Sequence, residues 1–290
     1  MESLPVRNGP MIKEINMNLF QIDQEKCKRD GICVKECPAQ VIVMADKNAF
    51  PSPMEDAGEF CINCGHCVAV CPHGAFALAT MPLDSCPPMQ KDLLPGSESV
   101  RQLLRARRSI RQYKKAPVPR DLLEELLDTA RYAPTGSNKQ QVHWTVFQDP
   151  AGMKRFAGMV IDFTRQNLTG TVDADMARRM RRIIAAWDNG KDRILRGAPN
   201  LILVHSGADL PFAEADCLIA LTYLELYAYA KGLGTCWGGY FTAAANFYAP
   251  LTEALELPAG HRCYGAVMLG YPKTGYERIP RRNAPLVTWR

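Results

Sequence analysis

Seven of the eleven cysteines lie within 45 residues of one another, in two clusters that each end in Cys-Pro. The second cluster reads C-x2-C-x2-C-x3-C-P and comprises Cys61, Cys64, Cys67 and Cys71. This spacing holds three thiolates on one loop and offers the fourth to a neighbouring centre, which is how proteins hold a cube of iron and sulfide. The pattern therefore predicts an iron–sulfur centre, whose chemistry is the transfer of single electrons.

The first cluster has Cys27, Cys33 and Cys37 but lacks one cysteine of the pattern. Aligning the two clusters puts Asp30 in the missing position. A carboxylate is a harder ligand than a thiolate and holds iron less strongly in a sulfide cluster. Two interpretations stay open: Asp30 holds a labile fourth iron, or it is a solvated loop residue beside a three-iron cluster.

A zinc site is the other interpretation of these cysteines, since C-x2-C pairs also bind zinc. Four cysteines spaced in this way and followed by proline fit zinc-binding patterns poorly. Over about 50 residues the two clusters instead resemble the bacterial two-cluster ferredoxins. The resemblance implies a small α+β domain in which the fourth cysteine of each run serves the other cluster. One [4Fe-4S] cluster would then use Cys37, Cys61, Cys64 and Cys67, and the other, [4Fe-4S] or [3Fe-4S], would use Cys27, Cys33, Cys71 and Asp30.

Charge and hydropathy exclude some classes of protein. The longest apolar stretch, residues 218–230, contains Glu225 and is too short to cross a membrane. No export signal is recognisable near the N-terminus, and thiolates kept for metal suit a reducing compartment, so we expect a cytoplasmic protein. The basic stretch 178–196 has one aromatic residue, which makes a poor platform for nucleic acid.

Proline and glycine crowd residues 81–97, which indicates a connector between two domains. We predict a ferredoxin-like domain over 1–80 and a larger domain over 98–290. Within the larger domain, periodicity predicts helices and short apolar runs predict strands. The predicted helices are 99–108, 119–132, 178–196 with an interruption near Asn189-Gly190, and 212–231. The predicted strands are 142–147, 201–204 and 264–269.

Three segments of the larger domain suit a phosphorylated planar cofactor. Arg107, Arg108, Ser109 and Arg111 place three guanidinium groups and a hydroxyl within five residues, the kind of donors that a phosphate needs. Residues 133–140 form a loop rich in hydroxyls and amides. Residues 232–240 carry glycines that allow backbone to approach a ring closely. Each signal alone also fits an ordinary charged turn or loop.

Together and in this order, these segments and the tail motif 270–283 resemble the nitroreductase family over residues 98–290. The resemblance implies an α+β fold with a mixed sheet and surrounding helices, and a homodimer with FMN at the subunit interface. Arg107, Arg108, Ser109, Arg111 and Arg282 would hold the phosphate and ribityl groups, Pro134, Thr135, Gly136 and Asn138 would come from the partner subunit, and Gly238 and Gly239 would lie near flavin N5. No side chain is assigned as an acid or base, since the flavin supplies the chemistry.

These features predict an FMN-dependent oxidoreductase in which two clusters carry electrons from an external donor, reduced ferredoxin, to FMN. The flavin would then reduce a small organic acceptor such as a nitroaromatic compound or a quinone. One alternative takes electrons from NAD(P)H at the flavin and passes them out through the clusters. Others are a non-enzymatic electron-transfer or redox-sensing protein, dehalogenation and flavin breakdown. Residues 178–196 are a lid, a docking face for an acidic donor, or a charged helix.

Overall fold

The computed structural model describes residues 19–168 and 172–290. The chain divides into two compact units, Met1–Leu94 with Ser137–Lys139, and Pro95–Gly136 with Gln140–Arg290. The first 18 residues of the predicted ferredoxin-like domain, including the segment inspected for an export signal, lie outside the described residues. The predicted boundaries 1–80, 81–97 and 98–290 stay predictions.

The first unit is built from very short elements. In chain order they are β1 Phe20–Ile22, α1 Ile32–Lys35, β2 Ile42–Val43, β3 Ser52–Pro53, α2 Ala57–Phe60, α3 His66–Val70 and β4 Phe76–Leu78. Strands β1 and β4 pair antiparallel, as do β2 and β3. Val41, Ile42, Phe76 and Leu78 are buried together with the thiols of Cys33 and Cys67. The core of this unit therefore forms directly around its cysteines.

The proline-rich segment after β4 has little regular structure, as its composition predicts. It contains two 3-10 turns, Leu83–Ser85 and Lys91–Leu93. Proline removes a backbone donor and fixes φ, so it favours turns over a longer helix here.

The second unit has eleven helices and strands in its described part. They are α4 Ser97–Ala106, α5 Arg120–Ala130, β5 His143–Phe147, α6 Pro150–Asn167, α7 Ala174–Asp188, β6 Asn200–Gly207, α8 Ala213–Ala230, β7 Gly234–Trp237, α9 Gly239–Phe247, α10 Ala249–Ala254 and β8 His261–Gly270. A 3-10 turn, Gly136–Asn138, includes residues that are grouped with the first unit. All the helices and strands predicted for this region are present. Helices α6, α9 and α10 were missed, and β7 was interpreted as a glycine loop.

A four-stranded sheet in the order β5-β6-β8-β7 forms the centre of the second unit. The α+β class is confirmed, but the three pairings recorded are all antiparallel, whereas a mixed sheet was expected. Strands β6 and β7, which the single helix α8 connects, run parallel to each other with β8 between them. Antiparallel order needs no crossover between adjacent strands.

Helices cover both faces of this sheet. Every residue of β6 is buried, and successive side chains alternate between the two faces. Leu201 and Leu203 pack in a core with residues of α6, α9 and α10. Ile202 and Val204 pack in a second core with residues of α5 and α8. A strand covered on both sides reads as a continuous apolar run, which is how the sequence predicted it.

Local signals explain where the longer helices begin and end. Asp149 caps α6 by accepting from the amides of Ala151 and Gly152, with Pro150 in the first turn. Asp173 caps α7 in the same way. Helix α7 ends at Asp188, before Gly190 at φ 74°, which is where the sequence predicted an interruption of the helical stretch 178–196. In the described part of the chain no helix is long and apolar enough to cross a membrane.

Three histidines meet at one end of the sheet. The ring centroids of His143, His205 and His261 lie 4.8 to 5.5 Å apart. His205 is 3% exposed, and its Nδ1 lies 2.9 Å from Nδ1 of His261 while its Nε2 lies 3.0 Å from Thr145 Oγ1. Burial, and then the neighbouring rings of His261 and His143, lower the pKa of His205 to about 4. His205 therefore resists protonation.

This lowered pKa predicts a loss of stability in mild acid. An unfolded histidine has a pKa of about 6.5, so the unfolded chain takes up the proton first and stability falls as the pH drops from about 6.5 toward 4. We expect His205 alone to lower the free energy of unfolding by about 2 kcal/mol between about pH 6.5 and 4.5. Urea unfolding of the chain without iron and sulfide, measured across this pH range, should show a steeper decline in the free energy of unfolding for the wild type than for His205→Gln. If the two free energies fell in parallel, this prediction would be wrong.

Candidate functional site

The two cysteine clusters are halves of a structural repeat with an offset of 34 residues. Cys27, Cys33 and Cys37 recur at this offset as Cys61, Cys67 and Cys71, and Asp30 corresponds to Cys64. The backbone repeats as well: left-handed φ values at Arg29, Gly31 and Gln40 recur at Asn63, Gly65 and Gly74. Each half continues into a short helix, α1 or α3. The structure thus gives Asp30 the backbone position that Cys64 has in the other half.

Two cavities in the first unit are lined by the two sets of ligands expected from the resemblance. Cys37, Cys61, Cys64 and Cys67 line the first cavity. Cys27, Asp30, Cys33 and Cys71 line the second. The cavities are similar in size, with about 370 and 350 Å³ free of protein atoms. Each set combines three side chains from one half of the repeat with one cysteine from the other.

The chemistry of these cavities fits a soft metal cluster. All the cysteines that line them are free. Burial raises the pKa of the Cys33 thiol and raises that of Cys67 to about 12, so these thiols keep their protons until metal displaces them. The amide of Ala75 donates to Cys71 Sγ at 3.3 Å, the kind of contact that tunes a cluster. Among residues 19–168 and 172–290, no three His, Cys, Asp or Glu surround the position of a single metal ion.

Asp30 has protein partners in this geometry. Its Oδ1 accepts from the amide of Ile32 at 3.1 Å, and its Oδ2 lies 3.9 Å from Nε2 of His73. The carboxylate therefore lies at the second cavity while bonded to its own loop. Ligation and a purely structural role are both compatible with this position.

An arginine-rich cavity lies in the second unit. Its lining consists of Arg107, Arg108, Ser109, Arg111, Tyr276 and Arg282, around about 550 Å³ free of protein atoms. Five of these six residues are those expected to bind the phosphate and ribityl groups of a flavin, and Tyr276 was missed. Four guanidinium groups around one space make a site for a multiply charged anion such as a phosphate.

Packing against β7 fixes the backbone of this arginine-rich segment. Helix α4 ends at Ala106, and the amide of Ile110 donates to Thr235 O at 2.8 Å. A Cβ added to Gly234 would lie 2.2 Å from Cγ1 of Ile110, so only glycine permits this approach. Arg107 and Arg108 thus lie just before an anchored residue, and Arg111 lies directly after it.

A larger cavity, with about 1340 Å³ free of protein atoms, shares Arg111 with the arginine cavity. Trp237, Gly238 and Gly239 line one part of it. Met176, Met180 and Ile183 of α7 line another. A space with an apolar wall, a glycine-containing segment and a shared arginine suits a planar ring attached to an anion. Helix α7 therefore contributes to the wall of this cavity, a position compatible with the lid that was one of the interpretations of residues 178–196.

The amide of Gly238, expected beside flavin N5, is already engaged, since it donates to Ala266 O at 2.8 Å. Gly239 begins helix α9, whose first amides have no acceptor within the helix. The donors available to a ligand at this position are therefore the amides of Gly239 and Tyr240. Gly238 keeps a role as backbone that lines the cavity.

The loop that contains Pro134, Thr135, Gly136 and Asn138 does not line either of these two cavities. Asp216 of α8 accepts from the amide of Gly136 at 3.0 Å, and Thr135 Oγ1 accepts from the amide of Gln140 at 3.0 Å. Ser137, Asn138 and Gln140 have positive φ values of 50° to 53°. Left-handed conformations at non-glycine residues are costly and concentrate at functional sites, so the loop stays a candidate site.

Sequence reasoning missed two further residues. Arg196 lines the larger cavity and was counted only as part of a basic helix. Glu225 was noted only as a charge inside an apolar run, yet its carboxylate is bonded to Arg107. The apolar sequence around Glu225 was itself a signal, because a carboxylate buried there needs a partner.

The fold and these sites together define an oxidoreductase with an iron–sulfur module at its N-terminal side. The model of the nitroreductase family matches residues 104–271, and that of the 4Fe-4S dicluster domain matches residues 25–76. The chain belongs to the nitroreductase family.

Individual relatives agree with this classification. A protein named NADH dehydrogenase from Thermus thermophilus is 29% identical over 197 residues, which cover 63% of this chain and 92% of that protein. The 4-nitrobenzoate reductase of Pseudomonas putida is 24% identical over 206 residues, 62% of this chain and 89% of the relative. Among solved structures, a nitroreductase with bound FMN from Bacteroides fragilis is 22% identical, with a TM-score of 0.55 over 66% of this chain and 97% of that one. That likeness shows the fold.

Proposed function

We propose that this protein is an FMN-dependent reductase in which two iron–sulfur clusters deliver electrons from an external donor to the flavin. The donor is reduced ferredoxin, and the final acceptor is a small organic molecule such as a nitroaromatic compound or a quinone. The observation that carries the proposal is the presence, in one chain, of two thiol-lined cavities and an arginine-lined cavity next to a larger one.

The thiol sets suit two clusters. Cys37, Cys61, Cys64 and Cys67 would hold a [4Fe-4S] cluster, and Cys27, Cys33, Cys71 and Asp30 would hold the second, with three or four irons. Drawing one ligand of each set from the other half of the repeat ties the halves together through metal. Bound clusters supply one-electron transfer, while the short loops of the chain exclude bulk water from buried thiols such as Cys67.

The arginine cavity suits the phosphate of FMN. Arg107, Arg108, Ser109, Arg111 and Arg282 would bind the phosphate and ribityl groups, and the amides of Gly239 and Tyr240 would face the ring. Bound FMN supplies the exchange between one-electron and two-electron chemistry. The Bacteroides fragilis nitroreductase, which has this fold, carries FMN. No side chain is assigned as a general acid or base.

The direction of electron flow follows from what this chain has beyond its relatives. The matches cover about nine-tenths of each relative but less than two-thirds of this chain. A flavoenzyme that takes hydride from a pyridine nucleotide has no need for the added clusters. Placing the clusters in the same chain as the flavin replaces a diffusional encounter by a step at fixed effective concentration.

Donor preference tests this proposal. Under anaerobic conditions, NADH, NADPH and reduced ferredoxin are mixed separately with the protein in a stopped-flow instrument. We expect ferredoxin to reduce the flavin at least about tenfold faster than either nucleotide, a difference of about 1.4 kcal/mol in barrier. In a Cys61→Ser, Cys64→Ser variant, the ferredoxin reaction should be lost. Rapid flavin reduction by NADH in that variant would contradict the proposed route.

A second candidate function reverses the flow, from NAD(P)H at the flavin out through the clusters. It is favoured by the relative named NADH dehydrogenase, at 29% identity. The same mixing experiment separates the two. Under this alternative, NADH reduces the flavin first, and the clusters of the wild type follow.

We further propose that the protein is a homodimer with FMN at the subunit interface. Helix α8 is apolar nearly all round and exposes Ile219 and Tyr223. In the tail, Leu286 and Trp289 are almost fully exposed. Apolar faces of this kind are typical of surfaces that a partner covers. The strained loop with Pro134, Thr135, Gly136 and Asn138 would then reach the flavin site of the other subunit.

The role of Asp30 is open to a simple substitution. If its carboxylate binds the fourth iron, Asp30→Cys replaces a hard ligand by a soft one and strengthens the bond. We expect the iron content after exposure to air to rise from about seven to about eight per chain, since each full cluster holds four irons. Before exposure to air, Asp30→Ala should hold about one iron fewer than the wild type if the carboxylate binds iron, and should match the wild type if Asp30 is only a loop residue. Iron content unchanged by Asp30→Cys would place Asp30 outside the coordination sphere.

A further inference from the structure

Glu225 is a buried carboxylate that the proposed chemistry does not use. It lies in the middle of α8 and is 5% exposed. Its neighbours along the buried side of this helix are apolar, including Leu221, Leu224 and Ala228. An ionised group in such surroundings costs several kcal/mol unless it is paired and hydrogen-bonded, so its partners indicate why it is there.

The carboxylate is fixed from one side by strand β7. Thr235 Oγ1 donates to Oε1 of Glu225 at 2.8 Å, and Trp237 Nε1 donates to Oε2 at 3.3 Å. Both donors belong to a strand that is itself paired with β8 in the central sheet. Each oxygen of Glu225 therefore has a partner on a rigid element, which sets the orientation of the carboxylate.

From the other side the carboxylate holds Arg107. Arg107 Nη1 donates to Oε1 of Glu225 at 3.0 Å, and the Arg107 side chain is 25% exposed. Arg107 also lines the arginine cavity. Its fork has five N–H donors, so a bond to Glu225 leaves others for a ligand.

Arg107 differs in this respect from the other arginines of the cavity. In the described part of the chain, Arg108, Arg111 and Arg282 have no carboxylate within 4.0 Å, whereas Arg107 has Glu225. The single carboxylate therefore leaves three guanidinium charges uncompensated. Its effect is to fix the direction of one arginine and not to neutralise the site.

We propose that Glu225 is a positioning residue that orients Arg107 toward the phosphate of the flavin. This inference rests on the proposed FMN site. Strand β7 holds the carboxylate of Glu225, and this carboxylate holds the guanidinium of Arg107. The guanidinium would in turn bind the phosphate. An arginine held in advance loses less rotamer entropy when the phosphate arrives, so phosphate affinity depends on a residue that does not touch the ligand.

The test compares two ligands that differ only in the phosphate. Dissociation constants for FMN and riboflavin are measured on flavin-free wild type and Glu225→Gln, by quenching of flavin fluorescence. We expect the variant to bind FMN about tenfold more weakly or worse, as for a hydrogen bond to a charged group, with riboflavin changed less than about threefold. When Arg107 is already replaced by Gln, adding Glu225→Gln should cause no further change in the ratio of the riboflavin dissociation constant to the FMN dissociation constant.

Controls separate positioning from general damage. Glu125→Gln removes a carboxylate that accepts hydrogen bonds from Tyr227, in α8, and from Lys231, the residue that follows this helix. These residues do not line the arginine cavity, so the ratio of the riboflavin and FMN dissociation constants should stay unchanged. If Glu225→Gln does not fold, Thr235→Val serves instead, since it removes one hydrogen bond to the same carboxylate. This variant should lower the ratio of the riboflavin dissociation constant to the FMN dissociation constant by a smaller factor. Equal weakening of FMN and riboflavin, or an unchanged ratio, would overturn the inference. A wild type that binds neither flavin would instead contradict the proposed function.

Discussion

We propose that metal–thiolate coordination, for which two cavities lined by cysteines are present, is the interaction on which the first unit depends. Its strands have two or three residues and its helices four or five, so secondary structure contributes little cooperative stability. The buried core consists of a few aliphatic and aromatic side chains together with the cysteines themselves. Units of this size commonly need a metal or disulfides in addition to a core. Because each ligand set uses both halves of the 34-residue repeat, coordination would close the unit as well as supply its redox centres.

The second unit must hold several positive charges close together. Four arginines around one cavity repel one another until an anion enters, and the backbone must hold them there. The close packing of Ile110 on Gly234 fixes the backbone of the arginine segment. The buried carboxylate of Glu225 fixes the side chain of Arg107. Under the proposed function, the larger cavity that shares Arg111 would receive the part of the ligand that carries no charge. Adjoining groups of residues would then bind the phosphate and the ring.

Much of this was predictable because the signals were local. Cysteine spacing and the resemblance to two-cluster ferredoxins predicted the cysteines and Asp30 that line the two thiol cavities, and the Arg-Arg-Ser-x-Arg segment predicted most of the lining of the arginine cavity. Helix α8 and strand β6 followed from apolar runs long enough to be unambiguous. Helix α6 was missed because its apolar and polar residues alternate less clearly, although Asp149 and Pro150 mark its start. Arg196 and Tyr276 were not recognisable, because their roles arise from contacts with residues distant in the sequence. Glu225 had a signal in the apolar sequence around it, but its partner Arg107 is 118 residues away in the chain. The antiparallel order of the sheet likewise depends on tertiary contacts.

We propose that the iron–sulfur clusters and the flavin of this protein exchange electrons directly. A flash-generated reductant that injects a single electron into the anaerobic protein tests this most directly, with absorbance followed in the visible range. The clusters should be reduced first and then reoxidised with the same rate constant at which the flavin is reduced, whatever the protein concentration. A rate that rises in proportion to protein concentration, or clusters that stay reduced beside an oxidised flavin, would contradict the account.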